Sequence, residues 1–235
     1  MDTKSPLAAT DLQAQLSTIV YPKGTIPILH NNKVDIIVQR IGTLASNYVE
    51  NLAAGIRYWD EIYGTWASIN VYEPNQDLSA SWIQIENRPK VGDGVGDGAV
   101  IGAGSFVSPS FSGDGSARFR IGWINEELNK SCIDHDCPGF VQVNHNVGDP
   151  KTKNWWLAYG SNNTLIGYWP SSQFSFIKDN GDFALWGGYV RGPTASSNRP
   201  EMGSGHFPSE GFQKAAFIRN IQIIKDESNM LVSMF

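Results

Sequence analysis

A buried β-strand is predicted by the run Asp182-Phe183-Ala184-Leu185-Trp186-Gly187-Gly188-Tyr189-Val190, which is apolar, aromatic and contains a glycine pair. Successive side chains of a strand point to opposite faces. One face of this run therefore carries Phe183, Leu185, Gly187 and Tyr189, and the other carries Ala184, Trp186, Gly188 and Val190. We expect one of these two faces to line a pocket.

The composition favours β structure with many tight turns. The 235 residues are 41% hydrophobic, 11% aromatic and only 17% charged, with 24 glycines, and a chain of this length can bury a substantial core. Lys and Arg number 18 against 23 Asp and Glu, which gives a net charge of −5, and no basic block is present. We therefore expect no nucleic-acid partner, because phosphate binding needs clustered cations.

Period-two patterns extend along most of the chain and predict an antiparallel β-sandwich or a closed barrel. Residues 1–40 are expected to form an N-terminal arm with at most one edge strand, and residues 41–235 one β domain. The connection 73–77 is expected to join strands 66–72 and 79–86 as a hairpin. Further strands are predicted at residues 47–58, 99–107, 117–124, 139–144, 154–159, 165–169, 175–178, 183–191 and 215–224.

Several features indicate the secretory pathway. Asn129 and Asn162 each begin an Asn-x-Ser/Thr glycosylation acceptor, and Cys132 and Cys137 are the only cysteines. The beginning of the chain has no apolar signal segment, so a signal peptide is expected to have been removed, and no apolar run reaches the ~18 residues that span a membrane. We expect a secreted protein that binds no membrane.

The cysteine pair could bind a metal together with His135 or could form a disulfide. A zinc site needs about four ligands, and no second cysteine pair is present. The sequence therefore favours a disulfide that closes a small surface loop, without a metal site.

Arg118 and Arg120 are two residues apart on a predicted strand and share a face. Either this face is solvated, or it turns inward beside aromatic side chains and binds an anion or an enolate-like oxygen. Glu126 and Glu127 lie in a polar stretch and are expected to be solvent-exposed charges.

Five motifs together resemble the neprosin catalytic domain, whose characterised members are secreted glutamic peptidases. The resemblance covers about residues 67–224 and implies a two-sheet antiparallel sandwich whose concave sheet forms the active cleft. The motifs are Cys132 to Asn144, Trp155-Trp156-Leu157, Gly167-Tyr168-Trp169-Pro170, Trp186-Gly187-Gly188, and Met202-Gly203-Ser204-Gly205-His206-Phe207-Pro208-Ser209-Glu210-Gly211-Phe212.

The peptidase mechanism of that family uses two glutamates, one in an Ile-Glu-Ala-Gly strand and one immediately before Trp-Gly-Gly. Carried over by position, these fall at Gly102 and Leu185 of this chain. Glycine and leucine can neither activate water nor protonate a leaving amine. The resemblance thus implies that peptide hydrolysis by the family mechanism is absent.

Replacement of two carboxylates by glycine and leucine predicts a roomier and more apolar cleft, suited to a largely apolar small molecule. Alternation and the resemblance together supply two sets of candidates. The expected substrate-binding residues are Trp82, Gly102, Gly104, Phe106, Gln142, Phe183 and Leu185. The expected catalytic residues are Arg118, Arg120, Gln84 and Tyr189.

The short arm and the missing acids resemble fungal members of this fold in secondary metabolism. These include hetero-Diels-Alderases that join a tropolone-derived quinone methide to a humulene-type terpene. Such a reaction needs two apolar partners in a reactive orientation, and we expect no cofactor.

Two alternatives remain: an inactive peptidase relative that binds a ligand or peptide, and a glutamic endopeptidase with relocated carboxylates at Glu86 or Glu210. A homodimer also remains open.

Overall fold

The computed structural model describes residues 25–27, 50–74, 78–91, 94–95, 98–143, 152–192, 201–226 and 231–233. Strands dominate these residues, and every strand pair is antiparallel. The all-β prediction is confirmed. One short α-helix, α1 (Pro109–Ser112), follows a strand end, and no helix in the described ranges is long and apolar enough to cross a membrane.

A six-stranded sheet carries the run quoted first. The central strands of this sheet each pair on both sides, so their register is set twice. In spatial order the strands are β2 (Glu50–Ile62), β13 (Gly181–Gly192), β4 (Leu78–Asn87), β7 (Ala99–Val107), β8 (Arg118–Asn125) and β9 (Lys130–Ile133).

Smaller sheets accompany it. A four-stranded sheet contains β1 (Thr25–Pro27), β3 (Gly64–Ile69), β14 (Phe217–Ile224) and β15 (Leu231–Ser233). A three-stranded sheet contains β10 (Val141–Gln142), β12 (Thr164–Trp169) and β11 (Trp155–Tyr159). The short strands β5 (Lys90–Val91) and β6 (Gly94–Val95) pair with each other. Within the predicted arm, β1 pairs with β14, and the rest of residues 1–40 lies outside the described part.

The main hydrophobic core lies between the six-stranded sheet and the two smaller sheets. Ala184 and Trp186 of β13 belong to the same buried cluster as Ile218 of β14 and Trp155 and Trp169 of the three-stranded sheet. This packing of sheet on sheet confirms the antiparallel sandwich. It also decides which face of β13 is core: the face with Ala184 and Trp186.

The hairpin predicted across residues 73–77 is wrong. β3 pairs with β14, whereas β4 pairs with β7 and β13, so the two strands belong to different sheets. Thr65 ties β3 to β14, because its hydroxyl donates to the Gln222 carbonyl at 2.8 Å and accepts from Trp186 Nε1 at 3.0 Å. Alternation identified both strands correctly but could not identify their partners.

The strand predicted at residues 175–178 is also wrong, because this segment is a turn. Ile177 is fully buried, and its carbonyl accepts a hydrogen bond of 2.6 Å from Trp155 Nε1. A short run that contains a buried apolar residue has the sequence pattern of a strand. Here, however, the Ile177 carbonyl bonds to a side chain and not to a neighbouring strand.

Cys132 and Cys137 form the predicted disulfide. It links the end of β9 to the loop before β10. The disulfide is compatible with a secreted protein. Asn129 and Asn162, the two glycosylation acceptors, both lie exposed in turns.

Candidate functional site

The second face of the six-stranded sheet, opposite the main core, gathers most of the predicted site residues. We call it the site face and define it by Phe183, Leu185, Gly187 and Tyr189 of β13 and the residues paired with them. A separate buried cluster lies there, formed by Ala80, Trp82, Phe106, Phe183, Leu185 and Tyr189. The sequence predicted two faces, and the packing of the sheets separates this one from the main core, in a buried cluster of its own.

The two positions at which the resemblance expects glutamates lie on this face, one strand apart. Gln84 of β4 pairs with Leu185 on one side and with Gly102 of β7 on the other. Adjacent strands are about 4.8 Å apart, so the two positions are separated by roughly 10 Å with Gln84 between them.

Trp82 occupies the space above Gly102. A Cβ built on Gly102 would overlap the indole nitrogen of Trp82 and would lie 2.8 Å from Cε2 of the same ring and 2.9 Å from the Ile83 carbonyl oxygen. The far edge of the indole reaches Gly122 of β8, whose Cβ would lie 3.5 Å from it. The expectation of a roomier cleft is therefore wrong at Gly102, because an indole fills the room that the glycine leaves.

Aromatic side chains extend the apolar surface in both directions. The rings of Phe106 and Trp82 meet edge to face, with centroids 6.4 Å apart. At the other end the Phe183 ring packs at a tilt against the Trp59 ring of β2, with the ring centroids 4.3 Å apart. Trp59 is 66% exposed. Tyr189 is buried, and burial raises the pKa of its hydroxyl to about 12, so the group stays protonated at neutral pH.

A charged network begins next to Gln84, at Glu86 of the same strand, and continues beyond the strand end. Gln84 Nε2 donates to the Glu86 carboxylate, and Arg88 Nε donates to the same carboxylate at 2.6 Å. Arg88 Nη1 donates to Glu126 at 2.7 Å, and Glu126 also accepts from the Gly98 amide at 3.0 Å. Burial raises the pKa of Glu86, and Arg88 opposes this shift.

This network was only partly visible in the sequence. The sequence offers Glu86 as a candidate for a relocated acid, and the alternation of residues 82, 84, 86 and 88 also points to Arg88. The prediction that Glu126 is a solvent charge is wrong, because Glu126 is half-buried against Arg88. Its partner is distant in the chain, and no local pattern signals such a contact.

The two arginines do not form a shared cationic site. Arg118 binds Asp114 through two hydrogen bonds, of 2.7 and 2.8 Å, and holds the pKa of that exposed carboxyl well below its usual range. Arg120 pairs with Asp134, donates to Ser112 at 2.8 Å and lies over the Phe111 ring. Each guanidinium therefore faces its own carboxylate, although both residues share the predicted strand face.

Gln142 does not join the other candidates. It is exposed on β10, which pairs with β12 in the three-stranded sheet. Glu210, the second candidate for a relocated acid, is exposed as well. It accepts from the Phe207 amide at 3.0 Å and lies 3.0 Å from His206 Nδ1, and these contacts lower its pKa. Glu86 and Glu210 share no contact within the described residues.

The comparison with protein families agrees with the motifs. The family model described as Neprosin matches residues 75–148 and 146–234. The matched residues include β4, β7, β8 and β13, which build the site face. In the described ranges, no group of three or more His, Cys, Asp or Glu is placed to hold a metal ion.

We predict that Gly102→Ala destabilises the protein by about 1 to 3 kcal/mol, because the new methyl overlaps the Trp82 indole. Gly115→Ala is the matched control, since a Cβ there meets no atom within 4 Å. Urea unfolding measures both. In a Trp82→Ala background the cost of Gly102→Ala should shrink to the part caused by the Ile83 carbonyl, and an equal cost in both backgrounds would contradict the steric argument.

We also predict how Glu86 makes stability depend on pH. A raised pKa in the folded state means that the folded protein binds the Glu86 carboxyl proton more tightly than the unfolded chain does. The contribution of Glu86 to stability therefore grows as the pH falls toward the pKa of this group in the unfolded chain. The free energy of unfolding of the wild type, relative to Glu86→Gln, should therefore increase as the pH falls from neutrality toward the ordinary pKa of a glutamate, about 4.3. The exposed Glu127→Gln is the control, and a difference for Glu86→Gln that is independent of pH would refute the assignment.

Proposed function

Because the chain belongs to the neprosin family but has glycine and leucine where the resemblance places the catalytic glutamates, we propose that it is a non-proteolytic member that acts on apolar small molecules at the site face. The reaction we propose is a hetero-Diels-Alder cycloaddition between a tropolone-derived quinone methide and a humulene-type terpene in fungal secondary metabolism. The protein would orient the two reactants.

A single observation carries this proposal: an apolar aromatic cluster surrounds both positions of the missing carboxylates. Phe183, Leu185 and Tyr189 lie on one side of β4, and Phe106 lies on the other. Apolar walls with a few polar groups suit small-molecule binding. They also suit a reaction without a nucleophile, in which two new bonds form as π bonds rearrange and orientation supplies several kcal/mol.

Polar groups of the site face would assist at the oxygen of the quinone methide. The Tyr189 hydroxyl has a pKa of about 12 and is a hydrogen-bond donor at neutral pH. A donor aimed at developing charge stabilises a transition state in a dry site. Gln84 lies between the two lost carboxylate positions and supplies an amide. Of the four expected catalytic residues we favour these two over Arg118 and Arg120, because each arginine already pairs with a carboxylate.

The same pairing favours a second candidate function, a binding module. With Arg118 and Arg120 each neutralised by a carboxylate, fewer charged groups remain for chemistry. A protein of this kind would hold an apolar ligand on the site face and release it unchanged. Calorimetry with the separate reactants detects binding, and product analysis distinguishes binding from turnover.

The cycloaddition is tested with purified protein, a hydroxymethyl tropolone that loses water to give the quinone methide, and humulene. We expect faster product formation and a stereochemical outcome that differs from the uncatalysed mixture. Phe183→Ala should reduce both effects, since Phe183 packs in the site cluster. Phe119→Ala is the control, because Phe119 is exposed and points away from the site face. A product mixture identical to the uncatalysed one would remove the proposal.

Peptide hydrolysis is tested separately with a proline-rich peptide at about pH 3 to 5, where a carboxylic acid and a carboxylate can coexist. We expect no cleavage. We also expect none from the double variant Gly102→Glu with Leu185→Glu, because Trp82 blocks the side chain at position 102. Cleavage by the wild type that disappears in Glu86→Gln would instead establish a peptidase with a relocated acid.

A further inference from the structure

Three buried polar atoms on the site face have no hydrogen-bond partner in the described part of the chain: Trp82 Nε1, Gln84 Oε1 and Arg120 Nε. The residues are neighbours in the sheet. Trp82 and Gln84 are two apart on β4, and Gly104 alone separates Trp82 from Arg120 across the strands. The face thus presents an indole donor beside an amide acceptor.

Both members of the indole and amide pair are deeply buried, with Gln84 2% exposed and Trp82 7% exposed. A buried donor or acceptor without a partner is rare in folded proteins and is costly, so each such group needs a physical explanation. A bound molecule that supplies the missing partners removes the cost and gains hydrogen bonds in a medium of low dielectric constant.

Neighbouring contacts fix the roles of the two groups. The Gln84 amide donates one N–H to the Glu86 carboxylate, which Arg88 holds at 2.6 Å, and this bond orients the amide so that its oxygen remains the acceptor. The Trp82 indole lies above Gly102, in the space where a side chain at position 102 would begin. The donor and the acceptor are therefore both held in place without a ligand.

The surrounding charge disfavours an anion. The carboxyl group of Glu86 lies next to the Gln84 amide, and Arg88 binds both Glu86 and Glu126, so its guanidinium is already engaged by two carboxylates. Arg120 is neutralised by Asp134. A ligand carboxylate would meet the Gln84 amide oxygen, which is itself an acceptor, and the neighbouring Glu86 carboxyl, and it would lose its hydration on entry.

We propose that Trp82 and Gln84 form a subsite for an uncharged ligand edge that offers a carbonyl acceptor beside an N–H or O–H donor, as in a carboxamide, a lactam or a hydroxy-ketone. The ligand carbonyl accepts from Trp82 Nε1, and the ligand donor binds Gln84 Oε1. The inference rests on the proposed function only in placing the ligand on the site face. It requires no particular reaction.

The subsite is tested with three aromatic probes of similar size: benzamide, acetophenone and benzoate. Each is titrated into the full chain labelled with nitrogen-15, at neutral pH, and the indole resonance of Trp82 is identified from its loss in Trp82→Phe. Benzamide should shift this resonance. Acetophenone lacks the donor and should bind about fivefold more weakly, the usual effect of one neutral hydrogen bond. Benzoate should cause no shift at the same concentration.

Variants separate the two hydrogen bonds. Gln84→Met should remove the advantage of benzamide over acetophenone, and Trp82→Phe should weaken both probes. Trp123→Phe is the matched control, because Trp123 is also buried with an unpartnered Nε1 among the described residues but faces the main core. This variant should bind benzamide as the wild type does.

Benzoate binding as tightly as benzamide, or an unchanged Trp82 resonance with benzamide, overturns the proposal. The comparison of benzoate with benzamide uses the wild type alone and does not depend on the folding of any variant. It also leaves the cycloaddition assay unaffected, so the two proposals can fail separately.

Discussion

Strand β4 is hydrogen-bonded on both sides, to β13 and to β7, and this double register decides which side chains meet on the site face. A slip of one residue in either ladder would turn the paired side chains to the opposite face. The main core prevents such a slip, because Ala184 and Trp186 of β13 must remain buried against the smaller sheets. The geometry of the site therefore depends on packing on the other side of the same sheet.

The glycine at position 102 and the tryptophan at position 82 are structurally linked. The indole lies where a side chain at position 102 would begin. The position of the Trp82 side chain therefore requires a glycine at position 102. A glutamate at this position would require displacement of the indole. Where the resemblance expects a carboxylate, the Trp82 indole therefore occupies the space and brings a hydrogen-bond donor with it.

The buried charges of Glu86 and Arg88 fix the orientation of the neighbouring Gln84 amide. Glu86 and Arg88 are costly to bury, and their mutual contact offsets part of that cost. What they contribute locally is orientation, since the Glu86 carboxylate accepts from the Gln84 nitrogen and leaves the amide oxygen without a partner among the described residues. An apolar face that also carries one fixed donor and one fixed acceptor differs from a uniformly apolar surface. It can discriminate between ligands by their hydrogen-bonding groups.

The sequence by itself determined the all-β class, most strands, the disulfide between Cys132 and Cys137 and the family, because alternation, cysteine count and contiguous motifs are local properties. The resemblance further predicts that Gly102 and Leu185 stand where family members carry the catalytic glutamates. Only the tertiary structure decided that β3 and β4 separate into different sheets, that Arg118 and Arg120 face different carboxylates, that Gln142 lies elsewhere and that Trp82 fills the space above Gly102. The physical reason is the same in each case: the deciding contact joins residues from different strands, and the choice of strand partner depends on how whole sheets pack together.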